Sequence, residues 1–244
     1  MASDTEAYAG RLVRARELTK RSVDSAARAE STENGAGWLE NSALAEAAFG
    51  NLPEARRAAA AGLKLAPASE GVMIEAALAY AMSGDTAQAQ SMARDLNRLY
   101  PLDTLVQSLW LPAIRAQLAL NRKNSAEALN NLQRASPPIE YGANRFITQV
   151  SCLIPTYIRG QSYLAAGQGA AAAAEFQKIL DHSGIVWNCW TGALARLGVA
   201  RAHAIEDDTA KAHADYELFL ILWKDADPDI PIFKQAKAEY AKLQ

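Results

Sequence analysis

The feature that most constrains this chain is an internal repeat of 34 residues, marked by two independent landmarks. A glycine turn at Gly50 recurs at Gly84, and a proline at Pro67 recurs at Pro101, each 34 residues later. A fixed period of this length is typical of helical-repeat proteins, in which each unit buries its apolar face against its neighbours. The repeat therefore predicts a fold built from similar units stacked along the chain.

The residues at the repeated positions have physical reasons to be there. Glycine readily adopts the positive φ that ends a helix in a tight reversal. The next residue, Asn51 or Asp85, is of the type that caps the start of a helix. A proline after the second helix stops it, because proline has no backbone N–H to donate. Each unit is thus predicted to be a helix, a turn and a second helix.

The composition agrees with helices packed on helices. Half of the residues are apolar but only 7% are aromatic. Alanine, which has the best helix propensity, makes up much of the apolar content that is not aromatic. We therefore predict an all-α fold of antiparallel helix pairs in an α-α superhelix over residues 1–244. The predicted segments are an N-terminal helix at 8–29, pairs at 36–67, 70–101, 103–137, 144–182 and 187–224, and a capping helix at 230–243.

The two ends of the chain carry different predictions. Residues 7–12 resemble the end of a first helix and its turn, so the helix at 8–29 is predicted to be the second helix of a pair whose first helix would start before residue 1. This predicts that the chain is part of a longer protein and that apolar residues of this helix, such as Val13, stay partly open. The helix at 230–243 carries one apolar stripe and would cover the edge of the last pair. The stripe consists of Ile232, Phe233, Ala236, Tyr240 and Leu243.

The units resemble tetratricopeptide (TPR) motifs. They share a small residue in the middle of the first helix and an aromatic residue three positions later, followed by the turn and the closing proline. The tryptophan usual early in the first helix is replaced in every unit, and the third unit lacks the turn glycine. The resemblance implies a non-catalytic module that binds segments of other proteins. The small and aromatic pairs are Ala77 with Tyr80, Gly160 with Tyr163, and Ala200 with His203.

A narrower resemblance rests on the terminal segments 4–8 and 219–231. They are similar to the C-terminal TPR region of large bacterial signalling proteins whose N-terminal part is a eukaryotic-like Ser/Thr protein kinase. That region often follows a single membrane span, so the resemblance implies a regulatory part of a larger protein. The alternative is a freestanding TPR adaptor for envelope assembly or secretion. The compartment stays open, either cytoplasmic or extracytoplasmic behind an upstream membrane span.

In such superhelices the first helices line the concave side, where binding occurs. Helical periodicity predicts a groove that is mainly apolar, with three amides and one cation. We expect it to bind a peptide segment of another protein or of the same chain, with Trp110 as an anchor. Leu78 and Leu164 fit equally well as core residues. The predicted groove residues are Ile74, Leu78, Met82, Trp110, Gln117, Asn121, Tyr157, Gln161, Leu164 and Arg201.

Motifs of catalysis and of cofactor binding are missing from the sequence. It has no Walker-type loop, HExxH or GxSxG, so we predict no catalytic, metal or cofactor site. Gly167 to Gly169 falls on a repeat turn, and His203 takes the aromatic position of its unit. The acidic loop 225–229 imitates an EF-hand, but Ile230 and Ala236 replace its glycine and glutamate.

Charge and cysteine content complete the prediction. The formal net charge of −2 gives no electrostatic footprint for nucleic acid. No apolar run approaches the roughly 18 residues that a membrane span needs, so we predict no direct membrane insertion. Cys152 and Cys189 lie in different predicted helices without CxxC spacing, and we expect both to be buried free thiols.

Overall fold

A computed structural model describes residues 2–133, 137–142 and 152–243. All regular secondary structure in these ranges is helical, which confirms the predicted all-α class. The end of the third predicted pair and the start of the fourth involve residues outside these ranges. The helices are α1 (Ala2–Tyr8), α2 (Leu12–Arg28), α3 (Thr32–Phe49), α4 (Leu52–Leu65), α5 (Glu70–Met82), α6 (Thr86–Leu99), a π-helical turn (Val106–Trp110), α7 (Leu111–Asn121), α8 (Ser125–Leu132), α9 (Pro137–Gly142), α10 (Ile154–Ala165), α11 (Gly169–Asp181), α12 (Ser183–Val186), α13 (Trp190–Ile205), α14 (Thr209–Leu222) and α15 (Pro231–Tyr240).

The helices form an inner and an outer layer. The inner helices α3, α5, α7, α10 and α13 pack in this order, and each also packs against the outer helix that follows it. In the inner helix α5, ten of 13 residues are buried, whereas in the outer helix α6 only four of 14 are. The inner helix α5 is therefore buried on nearly all sides, while the outer helix α6 has one apolar face and one exposed face.

The predicted reversal recurs at every inner-to-outer connection and also between α1 and α2. At Gly84 the φ is +79°, Gly84 N donates to Ala81 O, and the next residue, Asp85, donates its N–H to Tyr80 O. These two bonds close the helix end as a Schellman motif. The third unit keeps this turn without glycine, because Lys123 itself adopts a φ of +59°. The residues with positive φ at these turns are Gly10, Gly50, Gly84, Lys123, Gly167 and Asp207.

The predicted helix caps are confirmed at one position and wrong at the other. The Asp85 side chain accepts a hydrogen bond from Gln88 N at 3.2 Å. Asn51 makes no side-chain cap bond among the described residues, although the backbone turn is the same. The helix start at residue 52 therefore depends on the Schellman turn and on Pro53 in the first helical turn.

Small residues allow helices of adjacent units to approach an aromatic ring. The ring of Phe176, on α11, lies against Gly160 of α10 and Gly198 of α13. A Cβ atom at either glycine would come within 2.7 Å of the ring. The close contact with this ring explains why the fourth unit has glycine at the predicted small position. Phe176 itself is fully buried.

The N-terminal prediction is wrong in one respect. Residues 2–8 form a separate helix, α1, which packs against α2 and α13, so α2 has a partner. Leu12 at the start of α2 is buried, whereas Val13 is 56% exposed, as expected for a residue that stays partly open. The turn at Gly10 has the same form as the other repeat turns, which identifies α1 and α2 as a short helix pair.

The C-terminal helix α15 caps the fold as predicted and also reaches its beginning. Phe233 and Ala236 are buried, and α15 packs against both α14 and α3. The buried indole of Trp223 donates to Tyr8 O at 2.9 Å. Asp227 accepts from Val13 N at 2.7 Å. The last elements thus contact the first, and the C-terminal helix covers residues near the start of the chain.

The cysteine prediction is wrong. Cys152 and Cys189 form a disulfide with a Cα–Cα distance of 5.5 Å, and both residues are buried. The bond joins the residues that precede α10 and α13, two adjacent inner helices. Thr191 strengthens this junction by donating its hydroxyl to Cys152 O at 2.6 Å. Spacing of 37 residues along the sequence could not show that the two helix starts lie side by side.

Candidate peptide-binding surface

Four of the ten predicted groove residues belong to the core. The relative exposure is 3% for Ile74 and Trp110, 0% for Leu78 and 8% for Tyr157. The expectation that Trp110 stays open as an anchor is therefore wrong. All four side chains belong to the apolar cluster that neighbouring helices bury between them.

The other six residues are at least partly exposed, and they lie toward the carboxyl ends of the inner helices. Five of them follow one another across three neighbouring helices, α5, α7 and α10. We call these five residues the rim. The rim consists of Met82, Gln117, Asn121, Gln161 and Leu164.

Hydrogen bonds hold the α7 part of the rim in place. Asn121 Nδ2 donates to Ala81 O at 2.7 Å, which joins the end of α7 to the end of α5 beside Met82. Gln117 Nε2 in turn donates to Asn121 Oδ1 at 3.1 Å. Each amide keeps a second N–H and carbonyl lone pairs for an incoming group. The side chains are thus oriented while retaining capacity to bind.

A buried tyrosine orients the α10 part of the rim. Gln161 Nε2 donates to the hydroxyl of Tyr157 at 3.1 Å. Burial raises the pKa of Tyr157 to about 12, so its hydroxyl stays neutral at physiological pH. Leu164, one turn further along α10, is half-buried against the core and leaves part of its surface open.

The tenth predicted residue, Arg201, serves the closure of the fold. Its guanidinium binds Glu239 of α15 through two hydrogen bonds of 2.9 and 3.1 Å. Tyr216 also donates to Glu239, at 3.0 Å. Arg201 therefore fixes the capping helix to α13, a role that helical periodicity within α13 could not show.

His203 and the acidic loop 225–229, for which no metal or catalytic role is predicted, make contacts within the fold. His203 Nδ1 lies 2.6 Å from Asp215 Oδ2. In the acidic loop, the backbone N–H of Asp227 donates to Gly10 O at 3.0 Å. Within the described ranges, no group of three or more His, Cys, Asp or Glu residues is arranged to hold a metal ion. No helix in these ranges is long and apolar enough to cross a membrane.

Sequence reasoning missed two buried acids on inner helices. Glu40 of α3 is fully buried, and neither of its carboxyl oxygens has a hydrogen-bond partner among the described residues. Gly62 makes room for it, since a Cβ there would lie 2.2 Å from Glu40 Oε1. Burial and the charge of Glu75 raise the pKa of Glu40 to about 10. Burial and the charge of Asp4 also raise the pKa of Glu75 well above its ordinary value.

These acids stay protonated at neutral pH, because an unpaired charge in an apolar interior costs several kcal/mol. The sequence did carry a signal for them. Glu75 stands between Ile74 and Ala76 in a stretch of α5 that is otherwise apolar, and Glu40 directly follows Trp38 and Leu39 in α3.

Comparison with protein-family models, curated proteins and solved structures finds no match to this chain.

Proposed function

We propose that this chain is a non-catalytic protein-binding domain whose rim binds an extended polypeptide segment. The observation that carries the proposal is the series of oriented amides, Gln117, Asn121 and Gln161, between the apolar side chains of Met82 and Leu164. Asn and Gln side chains donate and accept hydrogen bonds as a peptide backbone does. Methionine adapts its shape to different partners. The rim thus combines main-chain recognition with an adaptable apolar contact.

The repeat supports placing the domain with TPR-like modules. Helix pairs with a common turn and a small residue at the helix crossing, such as Gly160, are what the resemblance leads one to expect. The likeness of segments 4–8 and 219–231 to kinase-associated TPR regions supports a regulatory role within a larger signalling protein. The freestanding envelope adaptor is the competing proposal. The reading frame upstream of residue 1 separates them, since it would encode a kinase domain in one case and a signal peptide or lipobox in the other.

The disulfide supports an extracytoplasmic location for the domain. Disulfides persist in oxidising compartments and are rare in the cytosol. The bond between Cys152 and Cys189 is buried and tied to Thr191, which favours a structural role. A regulatory region beyond a membrane span and an envelope adaptor would both meet this condition.

The rim can be tested with peptides selected for binding to the purified chain by phage display. We expect selected peptides to lose at least about tenfold in affinity, about 1.4 kcal/mol, in the variants Met82→Asp and Leu164→Asp. A charge at either position would leave an apolar partner group against a carboxylate. The matched control is Leu99→Asp, because Leu99 is 48% exposed at the far end of α6. Isothermal titration calorimetry measures the affinities, and thermal melts confirm that the variants fold.

Two results would count against the rim. One is a selection that enriches no peptide. The other is a set of peptides whose affinity is the same for folded Leu164→Asp as for the unmodified chain. Loss of affinity in the milder variant Gln161→Ala, which preserves the apolar contacts, would show that main-chain recognition by the amides contributes.

A further inference from the structure

A second candidate site lies on the outer surface, in a cleft between α6, α7 and α8. The cleft has a volume of about 280 Å³. Its floor includes the buried residues Ala93 and Leu118, and its walls carry long polar side chains from all three helices. The wall residues are Gln90, Arg94, Asn97, Arg115, Arg122, Glu127 and Asn131.

Positive charge predominates in the cleft. Three arginines face one acid, and that acid, Glu127, is bound to Arg122 at 2.8 Å. Arg94 and Arg115 have no acidic partner among the described residues. By contrast Arg98, on the same helix as Arg94, pairs with Asp95 at 3.1 Å. Two exposed guanidinium groups from different helices thus converge without a counter-charge, in a chain whose net charge is negative.

The neutral groups of the cleft also favour an anion. Gln90, Asn97 and Asn131 each supply amide N–H donors beside the guanidinium groups. A guanidinium holds a carboxylate through two parallel hydrogen bonds, and such charged bonds are stronger than neutral ones. The donors come from helices packed on the core, so their backbones are fixed before a ligand arrives.

We propose that this cleft binds acidic side chains of a polypeptide segment. The peptide source of the carboxylates rests on the proposed protein-binding function, whereas the anion preference rests on the cleft itself. Its volume lies just below the range of about 300 to 1,000 Å³ found for drug-sized ligands. The cleft therefore accommodates one or two side chains of a longer chain. The negative net charge of the protein disfavours a nucleic acid as the partner.

The test compares two double variants of equal net charge. Arg94→Gln with Arg115→Gln removes the two unpaired cations of the cleft. Arg14→Gln with Arg57→Gln, the control, removes two exposed cations that pair with neighbouring acids on α2 and α4. The probe is a short fluorescent peptide rich in glutamate, with a glutamine-rich peptide of the same length as its reference. Fluorescence anisotropy measures binding at low salt.

We expect the glutamate peptide to bind the unmodified chain and the control variant with similar affinity, and to bind the cleft variant at least about tenfold more weakly. Raising the salt concentration from about 50 to about 200 mM should weaken binding, because charge attraction is screened. Leu164→Asp at the rim should leave the affinity for the glutamate peptide within about twofold. That result would show that the cleft binds independently of the rim, whatever the outcome of the rim experiment.

Three outcomes would overturn the proposal. The first is a glutamate peptide that binds no better than the glutamine peptide. The second is an equal loss in both double variants, which would indicate a response to net charge alone. The third is binding of inorganic phosphate or of a single-stranded oligonucleotide that the cleft variant abolishes, with no binding of the glutamate peptide. That third pattern would assign the cleft to another kind of anion.

Discussion

Two pairs of buried acids, in different regions of this protein, are treated in opposite ways. Both carboxyl oxygens of Glu40 on α3, and one carboxyl oxygen of Glu75 on α5, have no hydrogen-bond partner among the described residues. Glu140 and Glu175, on α9 and α11, both bind the guanidinium of Arg159 from α10, at 2.7 and 2.9 Å. The layers are built alike, so the difference arises from whether a long cationic side chain reaches the acid.

The paired acids share one buried cation. Arg159 is only 13% exposed. Burial lowers the pKa of Arg159, but the charges of Glu140 and Glu175 outweigh this effect, and its pKa is raised overall. Thr156 and Lys178 donate to the remaining carboxylate oxygens, at 2.5 and 2.6 Å. The comparison teaches that burial alone does not decide how this fold accommodates an acid, because the carboxylates of Glu140 and Glu175 lie in a completed hydrogen-bond network.

Removing the cation should have the largest effect. In Arg159→Met the carboxylates of Glu140 and Glu175 lose their shared partner, and we expect a loss of about 3–5 kcal/mol in the free energy of unfolding. Urea denaturation at neutral pH measures it. Arg98→Met, which removes an exposed ion pair, should cost under about 1 kcal/mol.

A second variant separates lost charge pairing from lost packing. Adding Glu140→Gln and Glu175→Gln to Arg159→Met should recover part of the stability, since no unpaired charge then remains. If Arg159→Met lowers the free energy of unfolding as little as Arg98→Met does, the buried ion pairs of Arg159 do not stabilise the fold more than an exposed pair.

The disulfide belongs to the region of paired acids, and its removal should have the next largest effect. Its partners are 37 residues apart, for which loop-closure entropy predicts a stabilisation of about 3–4 kcal/mol, with engineered cases often lower. We expect Cys152→Ala with Cys189→Ala to lower the urea midpoint. Faster hydrogen exchange should be concentrated in α10 and α13, with α3 and α5 little changed. Equal acceleration in all four helices would show that the two regions are not separately stabilised.

Replacing an unpaired acid should have the smallest effect and the opposite sign. Glu40→Met removes a buried polar group while keeping most of its volume, and we expect a gain of about 1–3 kcal/mol at neutral pH. The urea midpoint measures this gain, with the exposed Glu17→Met as the control. A loss of stability in Glu40→Met would mean that the Glu40 carboxyl has a stabilising partner.

The same variant should alter the dependence of stability on pH. The pKa of Glu40 is raised from an ordinary value of 4.5 to about 10 in the folded protein, so the folded state binds the proton more tightly. The resulting stability is complete below about pH 4.5 and decreases as the pH rises toward 10, by up to about 1.4 kcal/mol per unit. Urea titrations at about pH 5, 7 and 9 should show this decrease in the unmodified chain and a smaller one in Glu40→Met.

Local features of the fold could be predicted from the sequence, because their causes are local. The turns at Gly50 and Gly84 and the stripe of α15 depend on residues a few positions apart. The disulfide and the contact of Trp223 with Tyr8 depend on parts of the chain that are distant in sequence. No periodicity records such contacts, and only the end of α1 could be predicted because its seven residues show too little of a helical pattern.

The candidate site shows the same limit. Helical periodicity gives the direction in which Trp110 and Tyr157 point, but not how closely the next inner helix approaches. For Tyr157 that distance brings two rings of other helices against it, since the centroids of Phe176 on α11 and Trp190 on α13 lie 5.7 and 5.1 Å away. Met82 and Leu164 stay partly open because they lie near helix ends, where fewer neighbours pack.

The contact between the two ends of the chain has a consequence for how this protein can change. An open solenoid tolerates gain or loss of a unit, since each unit contacts only its neighbours. Here the hydrogen bond from Trp223 to Tyr8 spans 215 positions, and Asp227 binds Val13 across the same junction. An added helix pair would move the last elements away from the first and separate these atoms. The copy number of the units is therefore fixed by geometry, and duplication of a repeat, the ordinary way such proteins lengthen, would open the junction.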